Sequence, residues 1–403
     1  MFYLSGIVIT FFLSFLLMGK KGQSAADRIL SAWLVVCGFH LGIFYLYISG
    51  TYLRFPLFLG LEQGLPLLHG PFLFLYVQTL TQGRCLRWRD GLHFLPIAIV
   101  YSLMIPFFAL TGAEKIAVYQ HQGAGYHWLT DPLFFVITAS GVVYTLLCFR
   151  LLRQHRVAIE NGFSDITRID LNWVRFLVYG ICVIWAVVVS GLDDKYVFAS
   201  VVLYMFFIGY FGIRQVGIFT DRDLAVLLEA EPVASAHSDR NPSIVFSKKN
   251  TAQDDQRLDE EDQPFRSSRP RYQNSGLAQE DARSIHLRLQ QIMATEKLFR
   301  EPELNITSLA RRLDVTPHSL SQVINTLEGK SFYDYVNELR VFEFKQLISD
   351  PGNQQYTLLG LAFDCGFNSK TAFNRNFKKT TGLSPTQFLQ TIRVALPAAG
   401  SLS

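Results

Sequence analysis

A sequence pattern that occurs twice between Ile306 and Lys378 limits the fold of this chain more than any other feature. Each copy has an apolar stretch, a tight turn and a second apolar stretch that follows a hydroxyl residue, Thr316 in one copy and Ser369 in the other. Because Thr and Ser are favoured helix N-caps, each copy is predicted to form two short helices joined by a turn. Each second helix carries two apolar residues four positions apart, which places them on one buried face. These pairs are Leu320 with Ile324, and Phe373 with Phe377.

The opposite faces of the two second helices are polar. They carry His318, Ser321, Gln322 and Asn325 in the first copy, and Lys370, Thr371, Asn374, Arg375 and Lys378 in the second. Two helices joined by a turn, the second with a polar outer face, are typical of the helix-turn-helix, which places its second helix in a DNA major groove. We therefore predict two such motifs, at residues 306–327 and 357–379, and double-stranded DNA as a partner.

An apolar-periodic segment, Phe332 to Ile348, separates the two copies. Its apolar positions are Phe332, Tyr335, Val336, Leu339, Phe342 and Leu347. A helix of this length spans about 25 Å. Such a rod can hold two recognition helices about one DNA turn apart, roughly 34 Å.

The doubled motif, the connecting helix and the closing segment Phe377–Pro385 resemble the DNA-binding domain of the AraC family of bacterial transcription regulators. The resemblance covers residues 284–390 and implies an all-helical DNA-binding domain, which we place at 282–393, before a tail at 394–403. One position departs from the pattern, because Asp314 stands at the turn where the second copy has Gly366. Asp tolerates the left-handed backbone conformation, so the same turn is expected in both copies.

The resemblance also assigns individual residues to DNA. Those expected at base edges are His318, Ser321, Gln322, Thr371, Ala372 and Arg375. Those expected at the phosphate backbone are Asn325, Lys370, Asn374, Lys378 and Lys379. Gln pairs with adenine and Arg with guanine, while an Ala methyl packs on thymine. Phosphate contacts set affinity and salt dependence without reading sequence.

The first half of the chain has a different composition. Only 17% of the 403 residues are charged, against roughly 25% in a soluble globular domain, and most of these charged residues lie in the second half of the chain. Apolar runs of about membrane-spanning length recur there. They lie at Phe2–Met18, Ile29–Ile48, Leu65–Leu80, Leu92–Leu110, Leu133–Leu151, Val174–Ser190 and Val197–Ile213. We therefore predict an all-α protein whose residues 1–217 form a transmembrane bundle of about seven helices.

Basic residues set the predicted orientation of these spans. Ten of them lie in the first, third and fifth loops, against three in the alternate loops. The ten are Lys20, Lys21, Arg28, Arg84, Arg87, Arg89, Arg150, Arg153, Arg156 and Arg168. Because Lys and Arg favour cytoplasmic loops, the N-terminus is predicted outside and the DNA-binding domain in the cytoplasm. This is the topology of a multi-pass protein of the bacterial inner membrane, with the lipid bilayer as a partner.

Residues 218–281 are rich in Ser, Asp, Glu, Gln, Arg and Pro and poor in aromatic residues. A segment of this composition cannot bury enough apolar surface to form a core. We predict a disordered cytoplasmic linker at 218–281.

Two histidines lie within the predicted spans. The segment Leu68–Val77, followed by Leu92–Pro96, resembles the N-terminal region of membrane-embedded AraC-type regulators. It contains His69 next to a Gly-Pro break, and His40 lies in the second span. Ionisable residues at membrane depth often mark functional sites. His69 and His40 are therefore candidates for a sensing pocket, for an unknown small molecule or membrane signal.

Three classes of protein combine these features. The favoured class is a membrane-tethered, sequence-specific transcription regulator, which is not an enzyme and has no cofactor. Its spans are expected to be a sensor or an anchor. Two copies are expected to bind paired DNA sites as a homodimer. The alternative is a membrane enzyme or transporter with an accessory DNA-binding domain, but no H-E-x-x-H, P-loop or G-x-S-x-G motif supports it. A retinal photoreceptor needs a lysine in the last span, which Val197–Ile213 lacks. The five cysteines form no C-x-x-C pair, so no metal site is predicted.

Overall fold

The computed structural model describes residues 1–84, 86–167, 169–214, 279–353 and 355–395, and these ranges contain helices and no β-strand. The all-α prediction is confirmed for them. Backbone contacts divide the chain into two units, Met1–Ile159 with Arg168–Leu228, and Glu160–Thr167 with Glu229–Ser403. The predicted linker, apart from its last three residues, lies outside the described ranges, as does the tail from residue 396 onwards.

The first unit is built from apolar helices. In the described residues these are α1 (Phe2–Met18), α2 (Ala25–Ile48), α3 (Leu61–Gly64), α4 (Pro66–Gln82), α5 (Leu95–Leu103), α6 (Ile105–Phe108), α7 (Gly112–Gln120), α8 (His127–Gly162), α9 (Asn172–Val189) and α10 (Asp194–Arg214). One core joins residues of α1, α2, α4, α8, α9 and α10, with Trp33, Leu41 and Tyr76 among its most buried side chains.

The start of α2 shows how local sequence sets a helix boundary. Ser24 caps the helix by accepting a hydrogen bond from the Asp27 backbone N–H, 3.1 Å away. The Asp27 carboxylate in turn accepts from the Ser24 backbone N–H and from Lys20 Nζ, at 3.0 and 2.8 Å. This capping box satisfies N–H groups that the first turn of a helix leaves without partners.

Four helices of the described residues are long and apolar enough to cross a membrane: α2, α8, α9 and α10. The first and third predicted spans correspond to α1 and α4, which have 17 residues each. The fourth is not one helix, since α5 ends at Leu103 and α6 begins at Ile105. Pro106 lies in the first turn of α6, and because proline has no backbone N–H it cannot continue the hydrogen-bond ladder of α5. Seven spans thus remain a prediction.

The second unit contains the repeated pattern. Its described helices are α11 (Gln279–Thr295), α12 (Ile306–Arg312), α13 (Pro317–Val323), α14 (Phe332–Ser349), α15 (Leu358–Asp364), α16 (Lys370–Thr381) and α17 (Pro385–Ala395). A π-helical turn at Ile324–Glu328 follows α13, and short 3₁₀ turns lie at Leu298–Arg300 and Pro351–Asn353.

The connecting helix α14 contributes to two hydrophobic cores. Phe332 and Val336 pack with α11, α12 and α13, whereas Val341 and Phe344 pack with α15 and α16. Phe342, which the periodic pattern assigned to the apolar face, is 60% exposed. The pattern assumed one continuous stripe, but the helix turns a different face to each core.

A buried carboxylate ties α14 to the segment before α12. Glu343 accepts hydrogen bonds from Lys297 Nζ, at 2.8 and 3.1 Å, and pairs with Arg300. Burial raises the pKa of Glu343, but the hydrogen bonds and charges of Lys297 and Arg300 outweigh this effect and hold the pKa below its ordinary value. The ion pairs therefore favour the charged form.

Candidate functional site

The first copy of the repeated pattern forms two capped helices around a strained turn. Thr316 caps α13 by accepting a hydrogen bond from the Ser319 backbone N–H at 3.1 Å. Between the helices, Asp314 adopts a φ of 53°, the left-handed conformation that only a few L-residues tolerate. The predicted cap and the predicted left-handed turn are both confirmed in this copy.

The second copy repeats this geometry with glycine in the turn. Ser369 caps α16 by accepting from the Ala372 backbone N–H at 3.1 Å, as predicted. Gly366 has a φ of 96°, and a Cβ at this position would lie 2.7 Å from the carbonyl oxygens of both Phe299 and Arg300. The close backbone approach restricts this position to glycine.

Among the predicted base-contacting residues, five lie on the surface and one does not. His318, Thr371 and Arg375 are exposed, while Ser321 and Gln322 are partly exposed. Ala372 is only 5% exposed and belongs to the core of the second copy. It precedes Phe373 on the buried side of α16, so in this structure its methyl packs against protein rather than on the outer face.

The predicted phosphate-contacting residues lie at the same two helices. Lys370, Asn374, Lys378 and Lys379 are exposed on α16, and Asn325 is partly exposed after α13. Asn325 Nδ2 donates to Ser321 Oγ at 3.3 Å. Lys379 Nζ forms an ion pair with Asp334 at 2.6 Å, and exposed pairs of this kind are weak enough to exchange for a phosphate.

The sequence reasoning missed the side chain that holds Arg375. The hydroxyl of the buried Tyr333, on α14, accepts from Arg375 Nη2 at 2.7 Å and from Asn376 Nδ2 at 2.6 Å. The Arg375 guanidinium also lies 5.7 Å from the centre of the Tyr333 ring. Since arginine has five N–H donors, these contacts orient the guanidinium and leave donors for another partner.

Two capped helix-turn-helix units, both packed on one connecting helix, define a double helix-turn-helix DNA-binding domain. In agreement, residues 309–391 match the family described as "Helix-turn-helix domain", which is of the AraC type. No curated protein and no solved structure matches the chain.

A cavity of about 530 Å³ lies within the first unit. Residues of α2, α4, α8, α9 and α10 line it, and most of the lining is apolar or aromatic. The two histidines singled out in the sequence, His40 and His69, lie in its wall. A pocket of this size and composition suits a small organic molecule.

The two histidines form an ordered hydrogen-bond chain with Trp33. Trp33 Nε1 lies 3.1 Å from His69 Nδ1, and His69 Nε2 lies 3.0 Å from His40 Nδ1. An indole N–H can only donate, so His69 Nδ1 accepts and the His69 proton is on Nε2. That proton is donated to His40 Nδ1, which places the His40 proton on Nε2. With both rings neutral, the hydrogen-bonded series therefore ends in the Nε2–H of His40, a residue that lines the cavity.

Proposed function

We propose that this protein is a membrane-embedded, sequence-specific transcription regulator of the bacterial inner membrane, with its DNA-binding domain in the cytoplasm. The double helix-turn-helix carries the proposal, because both recognition helices pack on one rigid helix, α14. At 18 residues, α14 is about 27 Å long. That length supports binding of α13 and α16 in adjacent major grooves, about 34 Å apart.

The proposed division of labour on α16 is tested by two matched substitutions. Arg375→Ala removes an oriented guanidinium, and we expect it to weaken binding to the target site by about 1–3 kcal/mol and to relax specificity at one base pair. Lys378→Ala should weaken binding to all sequences alike and lower the salt dependence. Binding to target and scrambled duplexes is compared by fluorescence anisotropy at several salt concentrations. Uniform losses in both variants would overturn the assignment.

Membrane insertion is supported by the four long apolar helices α2, α8, α9 and α10 and by the bias of basic residues. Reporter fusions after Ala124 should report the outer side of the membrane, and fusions after Gln23 the cytoplasm. The opposite result at both positions would reject the predicted orientation of the spans.

The cavity is the proposed sensor. Its apolar wall and the His40 N–H donor suit a small, mainly apolar molecule that carries one hydrogen-bond acceptor, such as a carbonyl, ether or hydroxyl oxygen. Binding is expected to shift the helix bundle between two arrangements.

Two substitutions test the sensor role. His40→Phe preserves the ring shape and removes the donor, so target transcription should no longer respond to the inducing condition. Phe39→Leu, at a neighbouring residue that is 57% exposed, is the matched control and should leave the response unchanged. Replacing Phe2–Ile213 by one unrelated span is the broader test, because a normal response of that chimera would show that the bundle is only an anchor.

A further inference from the structure

Eight residues, the last three of α8 and the five that follow them, cluster with the DNA-binding unit. Glu160–Thr167 cluster with the C-terminal unit, while the residues on either side of them, up to Ile159 and from Arg168, cluster with the first unit. Within this segment, Phe163 forms an antiparallel bridge with Asn305, the N-cap of α12. Ser164 is 1% exposed. The segment is thus packed into the domain and does not lie on its surface as a solvated loop.

Ser164 is the centre of these contacts. Its backbone N–H and its hydroxyl both donate to the Leu304 carbonyl oxygen, at 3.2 and 2.6 Å. Its own carbonyl oxygen accepts from Asn337 Nδ2 at 2.8 Å and from Arg340 Nη1 at 3.4 Å. The backbone N–H, the backbone carbonyl and the hydroxyl of Ser164 therefore all have hydrogen-bond partners in the DNA-binding domain.

The next residue extends the contact to the second helix-turn-helix. Asp165 Oδ2 accepts from Asn368 Nδ2 at 2.9 Å, and Asn368 directly precedes Ser369, the N-cap of α16. Asn368 Nδ2 also lies 3.3 Å from the Pro302 carbonyl oxygen. The segment consequently contacts both copies of the motif and the helix that connects them.

The domain contains a buried cation that uses the segment as a partner. Arg340 is 1% exposed, and burial lowers its pKa to about 10. Its guanidinium donates to the carbonyl oxygens of Phe299 and Glu301, each at 2.7 Å, and to Ser164 Oγ at 3.1 Å. Arginine is seldom fully buried without partners, and without the segment this one loses its bonds to both Ser164 oxygens.

We propose that residues 160–167 are a docking segment which the DNA-binding domain binds in the groove between Leu304, the Asn337–Arg340 turn of α14 and Asn368. The domain would then be attached to the chain at two places, covalently through residues 215–278 and non-covalently through the turn between α8 and α9. The partner of this groove is a segment of the same chain that offers a serine hydroxyl, a free backbone carbonyl and an aspartate.

The test separates the two attachments in the full-length chain. A site for a specific protease is inserted between residues 230 and 270, the protein carries an N-terminal affinity tag, and the detergent-purified chain is cleaved and captured by the tag. We expect the C-terminal fragment to be captured with the tagged part. Ser164→Leu should reduce this capture at least about tenfold, because a larger apolar side chain overfills a groove lined by polar groups.

Two further variants keep the result interpretable. Ser349→Leu makes the same replacement at an exposed residue at the end of α14, outside both the segment and the groove, and should leave capture unchanged. Asn337→Ala removes a donor from the groove itself and should lower capture, while binding of the released fragment to DNA shows that it is folded. Complete release of the wild-type fragment, or equal capture of wild type and Ser164→Leu, would overturn the proposal. The readout involves neither transcription nor a membrane, so its failure is distinct from failure of the proposed function.

Discussion

The turn of the second helix-turn-helix should be the position of the DNA-binding domain least tolerant of a single methyl group. Gly366→Ala places a Cβ on a residue whose φ is 96° and 2.7 Å from two backbone carbonyl oxygens. One of these, the Phe299 oxygen, accepts a hydrogen bond from Arg340 Nε at 2.7 Å. Moving it away from the methyl would therefore disturb the partner of a buried guanidinium.

The expected cost has two parts. Placing an L-residue in a left-handed conformation costs about 1–2 kcal/mol, and overfilling a packed site costs about 1–3 kcal/mol more. We expect Gly366→Ala to lower the free energy of unfolding of the domain by about 2–5 kcal/mol. A domain has about 5–15 kcal/mol in total, so this loss is large.

The matched control is the equivalent position of the first copy. Asp314 has a φ of 53°, so Asp314→Gly relieves about 1 kcal/mol of strain in the folded state. The glycine also raises the conformational entropy of the unfolded chain, which lowers the free energy of unfolding by about 0.4–1 kcal/mol. We expect almost no net change. The same chemical contrast, glycine against a residue with a Cβ, should thus be costly at one turn and neutral at the other.

Pulse proteolysis in urea measures both variants in the full-length chain, with a C-terminal tag to follow the domain. All five Trp residues precede residue 200, so Trp fluorescence would not report on this domain. With a urea dependence of about 1–3 kcal/mol per M, Gly366→Ala should lower the unfolding midpoint by roughly 1–2 M. An unchanged midpoint for Gly366→Ala, or an equal fall for Asp314→Gly, would refute the reasoning.

Two further predictions concern stability of the same domain. Phe344→Ala should cost about 3–5 kcal/mol because it empties the second core, whereas Phe342→Ala, at a side chain that is 60% exposed, should change the urea midpoint little. The ion pairs hold the pKa of Glu343 below its ordinary value. Their contribution to the free energy of unfolding is therefore fully present above the unfolded-state pKa, about 4.3. It is lost as the pH falls through the folded-state pKa. Glu343→Gln should therefore make the urea midpoint depend less on pH in the acid range. The same pH dependence in the variant and the wild type would contradict this.

The sequence predicted the helix-turn-helix units well because their determinants are local. The hydroxyl caps Thr316 and Ser369 satisfy N–H groups three residues away, and the turns at Asp314 and Gly366 depend on the backbone freedom of one residue. Such signals are contained in a window of about ten residues. Neither needs knowledge of the remaining fold.

The connecting helix shows where periodicity fails. One stripe through Phe332, Tyr335, Leu339 and Phe342 is the natural extrapolation of a 3.6-residue period. The structure buries Phe344 at 0% exposure and leaves Phe342 exposed, because the second core lies on another face of α14. A helix shared by two cores has two stripes, and sequence periodicity alone does not show where the change of face occurs.

The missed residues of the site act across long sequence distances. Tyr333 and Arg375 are 42 positions apart, and Ser164 and Arg340 are 176 apart. A buried tyrosine hydroxyl or a buried arginine indicates that a partner exists. It does not indicate which residue supplies that partner.

The cavity and the docking segment are connected by the two helices that flank the segment. Both α8 and α9 line the cavity, for example with Ile137 and Ile184, and residues 160–167 begin at the end of α8. An occupant that changes the packing of these helices would act on the segment directly, without the predicted linker. This predicts non-additive effects of substitutions at the two places. The double variant His40→Phe with Ser164→Leu should show the transcription response of Ser164→Leu alone, because an undocked domain cannot receive the signal. If the two effects on a reporter gene instead add, the cavity does not act through the segment.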